Sequence, residues 1–314
     1  MARYVSISLL APPALQFESD LQGQKAVEQM IKHWQMQVAK VLPDKPDLVI
    51  LPEASDIYVC QNFKQVLDYY KIRGNQIRDF WRGIAKKNHC YIAYSAYRED
   101  ENGKTYNSTQ IIDRQGEIAG IYNKNHLVIE ENTQAGVFYG RESPLIECDF
   151  GKVACAICFD LNFDLLRQKY VRAHPDLIIF SSMYHGGLMQ NYWAYSCRAH
   201  LAAAVAGLPS AIISPVGQII ASTTNYFSYV TARINLDCCL VHLDYNWAKL
   251  DALKKKYGRK VRIYDPGFLG SVLVFSETEE FDVQKLVKEF ELELLDDYFR
   301  RALAHRQSHL CKKD

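Results

Sequence analysis

Three side chains with reactive groups end three apolar runs of the sequence. Glu53 ends the run "LVILPE", Lys124 ends "AGIYNK" and Cys158 ends "VACAIC". Each run has the apolar character of a β-strand, and in open α/β sheets ligands bind in the crevice outside the strand ends. A thiol can attack an electrophilic carbon, a carboxylate can take its proton, and an ammonium group can stabilise an oxyanion. The three positions therefore predict nucleophilic catalysis at the edge of a sheet.

A second cysteine, Cys155, stands three positions before Cys158. Side chains alternate along a strand, so residues three apart point to opposite faces and do not share a metal ion. A zinc ribbon would need a second pair at suitable spacing, which the adjacent Cys238 and Cys239 do not supply. A thioredoxin-like pair lies at the start of a helix, whereas Cys155 lies inside a predicted strand. We therefore assign Cys155 to the core and keep Cys158 as the candidate nucleophile.

Cys158 stands where the predicted strand gives way to a helix. Backbone N–H groups at a helix start would lower the pKa of its thiol and could later hold an oxyanion. The polar neighbours Asp160 and Asn162 also indicate the end of a buried strand. The base for this thiol is either Glu53 or His126, which lies in "NKNHL". We rank Glu53 first and expect His126 to be a hydrogen-bonded structural residue.

The composition restricts the kinds of partner and the compartment. The chain has 314 residues, a formal net charge of +1 and 23% charged residues, so no charge imbalance indicates binding to nucleic acid or to an anionic membrane. No apolar stretch approaches the ~20 residues of a membrane span. The odd number of cysteines, nine, does not indicate a disulfide framework and fits a reducing compartment. We expect a cytoplasmic protein without nucleic-acid or membrane partners.

The elements before Cys158 are predicted as alternating strands and helices. Apolar spacing predicts helices over 27–42 and 77–84. Two hairpins are predicted, with turns at 114–117 and 149–152. The other predicted strands of this part are "RYVSISLL", "DLVILPE" and "CYIAYSAYRE".

After Cys158 the pattern predicts a helix through 165–170 and then the strand "DLIIFSS". The segment "NYWAYSCRAHLAAAVAG" is predicted as one helix that ends at Gly207. Two further strands are predicted in "PSAIISPVGQIIAST" and "YVTARINLDCCLVHL". Residues 246–275 have no clear period, and 283–302 are predicted as one long amphipathic helix.

This order of elements predicts an α/β fold built on a mixed sheet, with a C-terminal helical extension. We assign residues 1–276 to the main domain and residues 277–314 to the extension. The long amphipathic helix of the extension is expected to dock on a partner subunit.

Three sequence blocks resemble the signature blocks of the nitrilase superfamily of carbon–nitrogen hydrolases. They are "LPE" at 51–53, "YNKNHL" at 122–127 and "GKVACAICFDLNF" at 151–163, in the order of the family. The segment "YWAYSCRAHLAAAVAGLPSAIISPVGQII" resembles the part of the family that follows the nucleophile. The resemblance implies a four-layer αββα sandwich with a C-terminal helical extension, assembled into a homodimer or a higher homo-oligomer.

The resemblance also implies a role for each reactive residue. Cys158 would be the nucleophile, Glu53 the general base and Lys124 the stabiliser of the oxyanion, which the backbone N–H of Phe159 would also bind. The family often has a second glutamate after the lysine, and "VIEENTQAG" offers Glu130 and Glu131, of which we favour Glu131. No metal or organic cofactor is required.

The substrate is predicted less closely than the chemistry. True nitrilases of the family usually follow the nucleophile with Trp-Glu, whereas this chain has Phe159 and Asp160, which favours the amidase or carbamoyl-amide members. Because loops at strand ends often carry specificity, further residues could line a pocket. They are Tyr58, Phe138, Met183, Tyr184 and His185.

The leading hypothesis is a cytoplasmic amidase that cleaves a small linear amide or N-carbamoyl amide through a thioester on Cys158. One alternative is an acyl or carbamoyl transferase that uses the same Glu–Lys–Cys triad. Another is a non-catalytic relative that binds a small ligand; it does not need all three reactive types.

Overall fold

The computed structural model describes residues 1–16, 23–59 and 63–310. It divides into two compact units, one of Val5–Ile234 and one that joins Met1–Tyr4 to Asn235–Asp314. The expectation of free cysteines holds for the seven that are described, while Cys60 and Cys311 lie outside the described residues.

Two six-stranded sheets form the centre of the larger unit. The first has the order β14-β1-β3-β5-β6-β7. Its strands are β1 (Tyr4–Leu10), β3 (Leu48–Ile50), β5 (Tyr91–Glu99), β6 (Thr105–Ile112), β7 (Ile118–Asn123) and β14 (Tyr229–Asn235). Strands β1, β3 and β5 are parallel, and β5, β6 and β7 are antiparallel. A separate two-stranded ribbon consists of β2 (Leu15–Gln16) and β4 (Tyr58–Val59).

The second sheet has the order β13-β12-β11-β10-β9-β8. Its strands are β8 (Ile146–Cys148), β9 (Gly151–Ile157), β10 (Leu177–Ser182), β11 (His200–Val205), β12 (Ala211–Ile213) and β13 (Ile219–Ser222). Strands β9, β10 and β11 are parallel. At the end of β10, Ser181 donates a hydrogen bond of 2.8 Å to the carbonyl of Leu51 beyond β3, so the two sheets lie face to face.

Helices cover the outer face of each sheet. The helices of this unit are α1 (Gln24–Val38), α2 (Phe63–Arg73), α3 (Gln76–Asn88), α4 (Ile129–Thr133), α5 (Asp164–Ala173) and α6 (Leu188–Cys197). Met30 and Trp34 of α1 and Trp81 of α3 lie in one buried cluster with Ile92 of β5, since their spacing places them on one helix face. Helix α6 packs on β11. The prediction of a four-layer αββα sandwich is confirmed.

The two predicted hairpins are present as β6–β7 and β8–β9. In the first, Gly116 adopts φ +82° and its N–H donates to the carbonyl of Asp113 at 3.0 Å. A Cβ at this glycine would lie 2.7 Å from the carbonyl oxygen of Arg82. The turn therefore needs glycine both for its backbone conformation and for the close approach of α3.

The prediction of one helix through "NYWAYSCRAHLAAAVAG" is wrong. Helix α6 ends at Cys197, Arg198 takes a left-handed φ of +56°, and β11 begins at His200. All six residues of β11 are buried, because the strand lies inside the sheet with both faces covered. The sequence of such a strand shows no alternation of polar and apolar residues. Because alanine has a high helix propensity, the sequence predicts a helix instead.

The next two segments are each predicted as a single strand, but each contains two strands. "PSAIISPVGQIIAST" contains β12 and β13, joined by a turn in which the Gly217 N–H donates to the Ser214 carbonyl at 2.8 Å. "YVTARINLDCCLVHL" contains β14 and then β15 (Cys238–His242), which belongs to the other unit.

The smaller unit has a three-stranded sheet of order β15-β17-β16 and three helices. Besides β15, the elements of this unit in the described residues are β16 (Val261–Tyr264), β17 (Ser271–Ser276), α7 (Trp247–Tyr257), α8 (Val283–Glu289) and α9 (Leu295–Leu310). Residues 246–275 thus contain a helix and two strands that their apolar pattern does not predict. The long helix predicted over 283–302 is wrong, since Glu291 takes φ +49° and separates α8 from α9.

The core of the smaller unit joins β17 to α8. Val272 and Val274 lie in one buried cluster with Val283 and Leu286. The predicted boundary at residue 276 falls between these two elements, whereas the compact units divide after Ile234. None of the helices in the described ranges is long and apolar enough to cross a membrane.

Candidate active site

The three reactive residues follow strands of both facing sheets. Strands β7 and β9 end one residue before Lys124 and Cys158, whereas β3 ends three residues before Glu53. Glu53 and Lys124 thus come from the first sheet and Cys158 from the second. The structure therefore brings them together across the sandwich and not along one edge of a single sheet.

Glu53, Lys124 and Glu131 form a buried cluster of charges. The Nζ of Lys124 lies 2.8 Å from Oε1 of Glu53 and 2.7 Å from Oε2 of Glu131. The side chains of Lys124 and Glu53 are only 1% and 5% exposed. Glu130, the other glutamate considered for this position, is exposed. Of the two glutamates considered, Glu131 is therefore the one that contacts Lys124.

Two residues that the sequence reasoning missed complete the cluster. Asn107 of β6 donates from Nδ2 to Oε1 of Glu53 and to Oε1 of Glu131, at 2.9 Å each. The hydroxyl of Tyr97 on β5 donates to the same oxygen of Glu131 at 3.2 Å. Asn107 lies in the first strand of a predicted hairpin, and its local sequence pattern predicts no further role. A buried polar residue in a strand is the signal that could have pointed to it.

Lys124 and Glu131 each favour the charged form of the other. Burial alone would lower the pKa of Lys124, but the carboxylates of Glu53 and Glu131 raise it above its ordinary value. Burial alone would raise the pKa of Glu131, but the charge of Lys124 and the hydrogen bonds from Lys124 and Asn107 lower it. The lysine therefore remains a cation between two carboxylates.

The thiol of Cys158 lies beside Glu53 and the backbone N–H of Met183. Burial first, and then the charge and hydrogen bond of Glu53, raise the pKa of this thiol to about 12, although Lys124 and the N–H of Met183 act in the opposite direction. The same N–H donates to Oε2 of Glu53 at 3.2 Å. The prediction that the helix start lowers the thiol pKa is wrong for this arrangement, because burial and then Glu53 raise it; the element that begins at Cys158 is a five-residue 3-10 helix, Cys158–Asn162.

Two residues of the site have strained backbones. Cys158 takes φ +48° and Ala54, directly after Glu53, takes φ +45°. A left-handed φ is costly for a residue with a Cβ and persists only where the surroundings impose it. Here it turns the chain sharply after the strand, so that the nucleophile candidate faces the carboxylate.

His126 is hydrogen-bonded away from the thiol, as predicted. Its Nδ1 lies 2.9 Å from Oδ1 of Asp160, and its ring stacks on Phe163 with centroids 4.0 Å apart. Asp160 itself is fully buried and also accepts hydrogen bonds from the hydroxyl of Tyr122 and the N–H of Ile157. Asp160, one of the two polar residues that indicated the end of the strand, is thus a buried hydrogen-bond acceptor.

The predicted pocket residues separate into two groups. Met183 contacts Glu53 through its backbone, and its side chain is 43% exposed. Tyr184 follows it, with a pKa raised first by burial and then by the charges of Cys158, Asp160 and Glu53. The carbonyl of His185 accepts from Gln190, and its ring nitrogen accepts from the N–H of Gly187. These three residues thus lie on the loop that follows β10.

Tyr58 and Phe159 are placed differently. Tyr58 is 8% exposed and its ring packs edge-on against Tyr69, so its role in a substrate pocket stays a prediction. Phe159 lies in the first turn after Cys158, and its ring packs against Phe163 with centroids 5.1 Å apart. Phe138 is 44% exposed and packs against Tyr106 instead.

Cys155 lies in the core, as predicted. Its side chain is fully buried within β9, and burial raises its pKa. No group of three or more His, Cys, Asp or Glu side chains that could hold a metal ion occurs in the described residues.

The fold is that of nitrilase-type carbon–nitrogen hydrolases. A structure of a variant of the amidase from Nesterenkonia sp. AN1, with the acetamide moiety of fluoroacetamide covalently added at its active site cysteine, superposes with a TM-score of 0.63. The match has 16% sequence identity and covers 81% of this chain and 96% of that chain.

The sequence comparisons identify the family. The carbon–nitrogen hydrolase family model matches residues 14–239, and the chain therefore belongs to this family, within the nitrilase superfamily. It is 25% identical over 214 residues to an omega-amidase of Danio rerio, covering 60% of this chain and 76% of the relative. It is 23% identical over 219 residues to a deaminated glutathione amidase of Mus musculus, covering 60% and 68%. Relatives of this type support hydrolysis of amides in general.

Proposed function

We propose that the protein hydrolyses a small linear amide or N-carbamoyl amide through a thioester on Cys158. The observation that carries the proposal is the buried ion pair of Lys124 and Glu53 beside the thiol. Burying charges is costly unless they are paired, and an ordinary structural role would not require a nucleophile at the same place. The amidase relatives support the same reaction class.

In the first step, Glu53 takes the proton of the Cys158 thiol while the sulfur attacks the carbonyl carbon of the amide. A thiol with a pKa near 12 is neutral at pH 7, so proton transfer has to accompany the attack. The negative charge that develops on the carbonyl oxygen is stabilised by Lys124 and by the N–H of Phe159. The carbon–nitrogen bond then breaks, and Glu53 returns its proton to the leaving nitrogen.

In the second step, water attacks the thioester carbon and Glu53 takes a proton from it. The carbon–sulfur bond breaks, the thiolate of Cys158 receives the proton from Glu53, and a carboxylic acid or carbamic acid is released. Glu131 and Asn107 do not exchange protons in this scheme. They hold Lys124 and Glu53 in place through the hydrogen bonds of the cluster.

The position of the loop after β10 supports a role for it in binding the substrate. Met183 contacts Glu53, and Tyr184 lies within the electrostatic influence of Cys158 and Glu53. We propose that these side chains and His185 contact the acyl part of the substrate, where loop residues commonly set specificity.

The test is the mass of the protein after brief incubation with a panel of primary amides and N-carbamoyl compounds. We expect an adduct whose mass equals the acyl group and which maps to Cys158, together with release of ammonia. The Cys155→Ala variant is the matched control and should form the same adduct. Absence of any adduct and of ammonia across the panel, or an adduct on another cysteine, would contradict the proposal.

A further inference from the structure

A cavity of about 600 Å³ lies apart from the thiol, between helix α2 and the strands β5 and β6. Val66, Tyr70 and Arg73 of α2 line one side of it. Tyr94 and Arg98 of β5 and Gln110 of β6 line the other side. The mechanism above uses none of these residues.

Strand alternation places the cavity mainly in a different layer from the catalytic cluster. Tyr94 pairs with Gln110, and Tyr97 pairs with Asn107, so the two pairs project to opposite faces of the sheet. Tyr94 belongs to the buried cluster that α1 and α3 form on the outer face. Asn107 contacts Glu53 on the inner face. The part of the cavity that Tyr94, Arg98 and Gln110 line therefore lies on the helix side of the sheet, and Tyr97 bounds it from the other face.

Two polar atoms facing this cavity are buried without a partner among the described residues. They are the amide oxygen of Gln110, a residue only 3% exposed, and the Nε of Arg98. Unsatisfied buried polar atoms are rare because they forfeit hydrogen bonds to water. One is an acceptor and the other is a charged donor, so the pair matches a ligand with a donor and a carboxylate.

The separation of these two residues sets the length of the ligand. Arg98 pairs with Tyr106, which precedes Gln110 by four residues on β6. At ~3.3 Å per residue the two backbone positions are about 13 Å apart. Their polar groups therefore match opposite ends of an elongated molecule and not a single small group.

The charges around the cavity favour the carboxylate end at Arg98. The guanidinium of Arg73 is already bound to Asp56 at 2.7 Å and to the carbonyl of Tyr97 at 2.8 Å. Asp100 also lines the cavity, but its carboxylate accepts from the N–H groups of Asn102 and Lys104 in its own turn. Arg98 makes one long contact of 3.5 Å to the neighbouring carbonyl of Glu99.

Three other charged side chains complete the lining. One of them, Glu99, is an exposed carboxylate that strand alternation directs to the face opposite Arg98. Lys71 adds a positive charge, while the Nε of Arg78 contacts Asp79 at 3.3 Å. The aromatic rings of Tyr70, Tyr94 and Tyr97 supply apolar surface between the two ends.

We propose that this cavity is a second ligand site, which binds an elongated apolar carboxylate with an O–H or N–H donor at its far end. The carboxylate pairs with Arg98, the donor bonds to the amide oxygen of Gln110, and the apolar body lies against the tyrosine rings. Tyr97 lines the cavity and donates to Glu131, so it forms the wall between the two sites.

The test measures the dissociation constant of 3-(4-hydroxyphenyl)propionate by isothermal titration, with two matched probes. The first, 3-phenylpropionate, lacks the donor, and the second, 2-(4-hydroxyphenyl)ethanol, lacks the carboxylate. We expect Arg98→Met to weaken both carboxylates roughly tenfold or more, since it removes a charged hydrogen bond. Gln110→Leu should weaken the hydroxylated carboxylate about fivefold and leave 3-phenylpropionate unchanged.

Two controls keep the result independent of amide hydrolysis. Arg172→Met, at an exposed position of α5, and Cys158→Ala should both bind as the wild type does. Lack of binding of either carboxylate to the wild type would overturn the proposal, as would unchanged binding to Arg98→Met. Loss of binding in Cys158→Ala would also overturn it, since the carboxylate would then occupy the catalytic site. If Gln110→Leu does not fold, the binding measured with Arg98→Met decides the outcome alone, since Arg98 is partly exposed and its replacement should be tolerated.

Discussion

Glu53 and Lys124 form an ion pair of 2.8 Å from which water is almost completely excluded. Buried pairs of this kind are weak evidence for stability, because desolvation offsets much of the attraction. Their removal one partner at a time is nevertheless costly, because a charge is left without compensation. The pair therefore supports the proposed role of the thiol beside it, since a proton acceptor and a cation that can stabilise an oxyanion both lie next to that thiol.

Replacing Lys124 by methionine is expected to destabilise the protein. The variant leaves the carboxylates of Glu53 and Glu131 facing each other without their cation, and the free energy of unfolding should fall by about 3–5 kcal/mol. Urea denaturation at pH 7 measures this loss. Lys152→Met is the control, since its pair with Glu147 is exposed and 3.9 Å long, and it should change stability by less than about 1 kcal/mol.

Replacing Glu53 by glutamine is expected to have opposite effects on turnover and on thiol reactivity. Amide hydrolysis should stop because the thiol loses its base. The charge and hydrogen bond of Glu53 raise the pKa of Cys158, so their loss should lower that pKa and increase the thiolate fraction at pH 9. Alkylation of Cys158 by iodoacetamide, followed by mass spectrometry, should then be faster than in the wild type.

The control for this experiment is Glu130→Gln, which changes an exposed glutamate outside the cluster. Its turnover and alkylation rate should equal those of the wild type. Slower alkylation of Cys158 in Glu53→Gln would mean that Glu53 activates the resting thiol and does not hold it protonated.

Glu131 is expected to make stability depend on pH in the acid range. Its pKa in the folded protein is lowered from 4.5, so its stabilising contribution is present above that value and is lost as the pH falls through the folded pKa. The melting temperature of Glu131→Gln should therefore lie below that of the wild type at pH 7, and the difference should shrink below pH 4.5. A difference that stays constant down to pH 3 would contradict this role of the carboxylate.

Residue types at strand ends predicted which side chains meet in the candidate site, but they did not predict the residues that hold those side chains in place. Glu53, Lys124 and Cys158 each follow a short apolar run, and such runs mark buried strands well. Asn107 and Tyr97 lie inside longer strands. At such positions the sequence pattern does not distinguish a buried polar side chain from an exposed one. Their partners are 24 to 54 residues away in sequence, and local periodicity carries no such information.

The errors in the fold arise where tertiary burial overrides local pattern. The sequence of strand β11 predicts a helix because alanine favours helices. The strand nevertheless lies between β10 and β12 with both faces covered. The decisive contacts of β11 are those with the neighbouring strands of the sheet and with the layers that cover it, which a local sequence pattern does not contain.

Asn107 is expected to act as a positioning residue for both glutamates. Asn107→Ala removes two hydrogen bonds to charged oxygens, and the free energy of unfolding should fall by about 2–4 kcal/mol. Because Glu53 then loses a fixed orientation, kcat on an amide substrate should fall while KM stays within about twofold. The control is Asn132→Ala, whose side chain bonds to the carbonyl of Val137 outside the cluster. An effect on KM alone would mean that Asn107 contacts the substrate.

The last prediction concerns helix α9, which we propose as an assembly element of a homodimer or a larger homo-oligomer. Its second half is exposed, including Leu303 and Leu310, whereas Arg301 is held by two bonds to Glu293. Truncation after Arg301 therefore spares the core of the smaller unit. We expect light scattering to show fewer chains per particle than in the full-length protein. Truncation after Phe281 is a poorer test, because it removes Val283 and Leu286 from that core. An unchanged number of chains per particle after truncation at Arg301 would show that the second half of α9 does not mediate assembly.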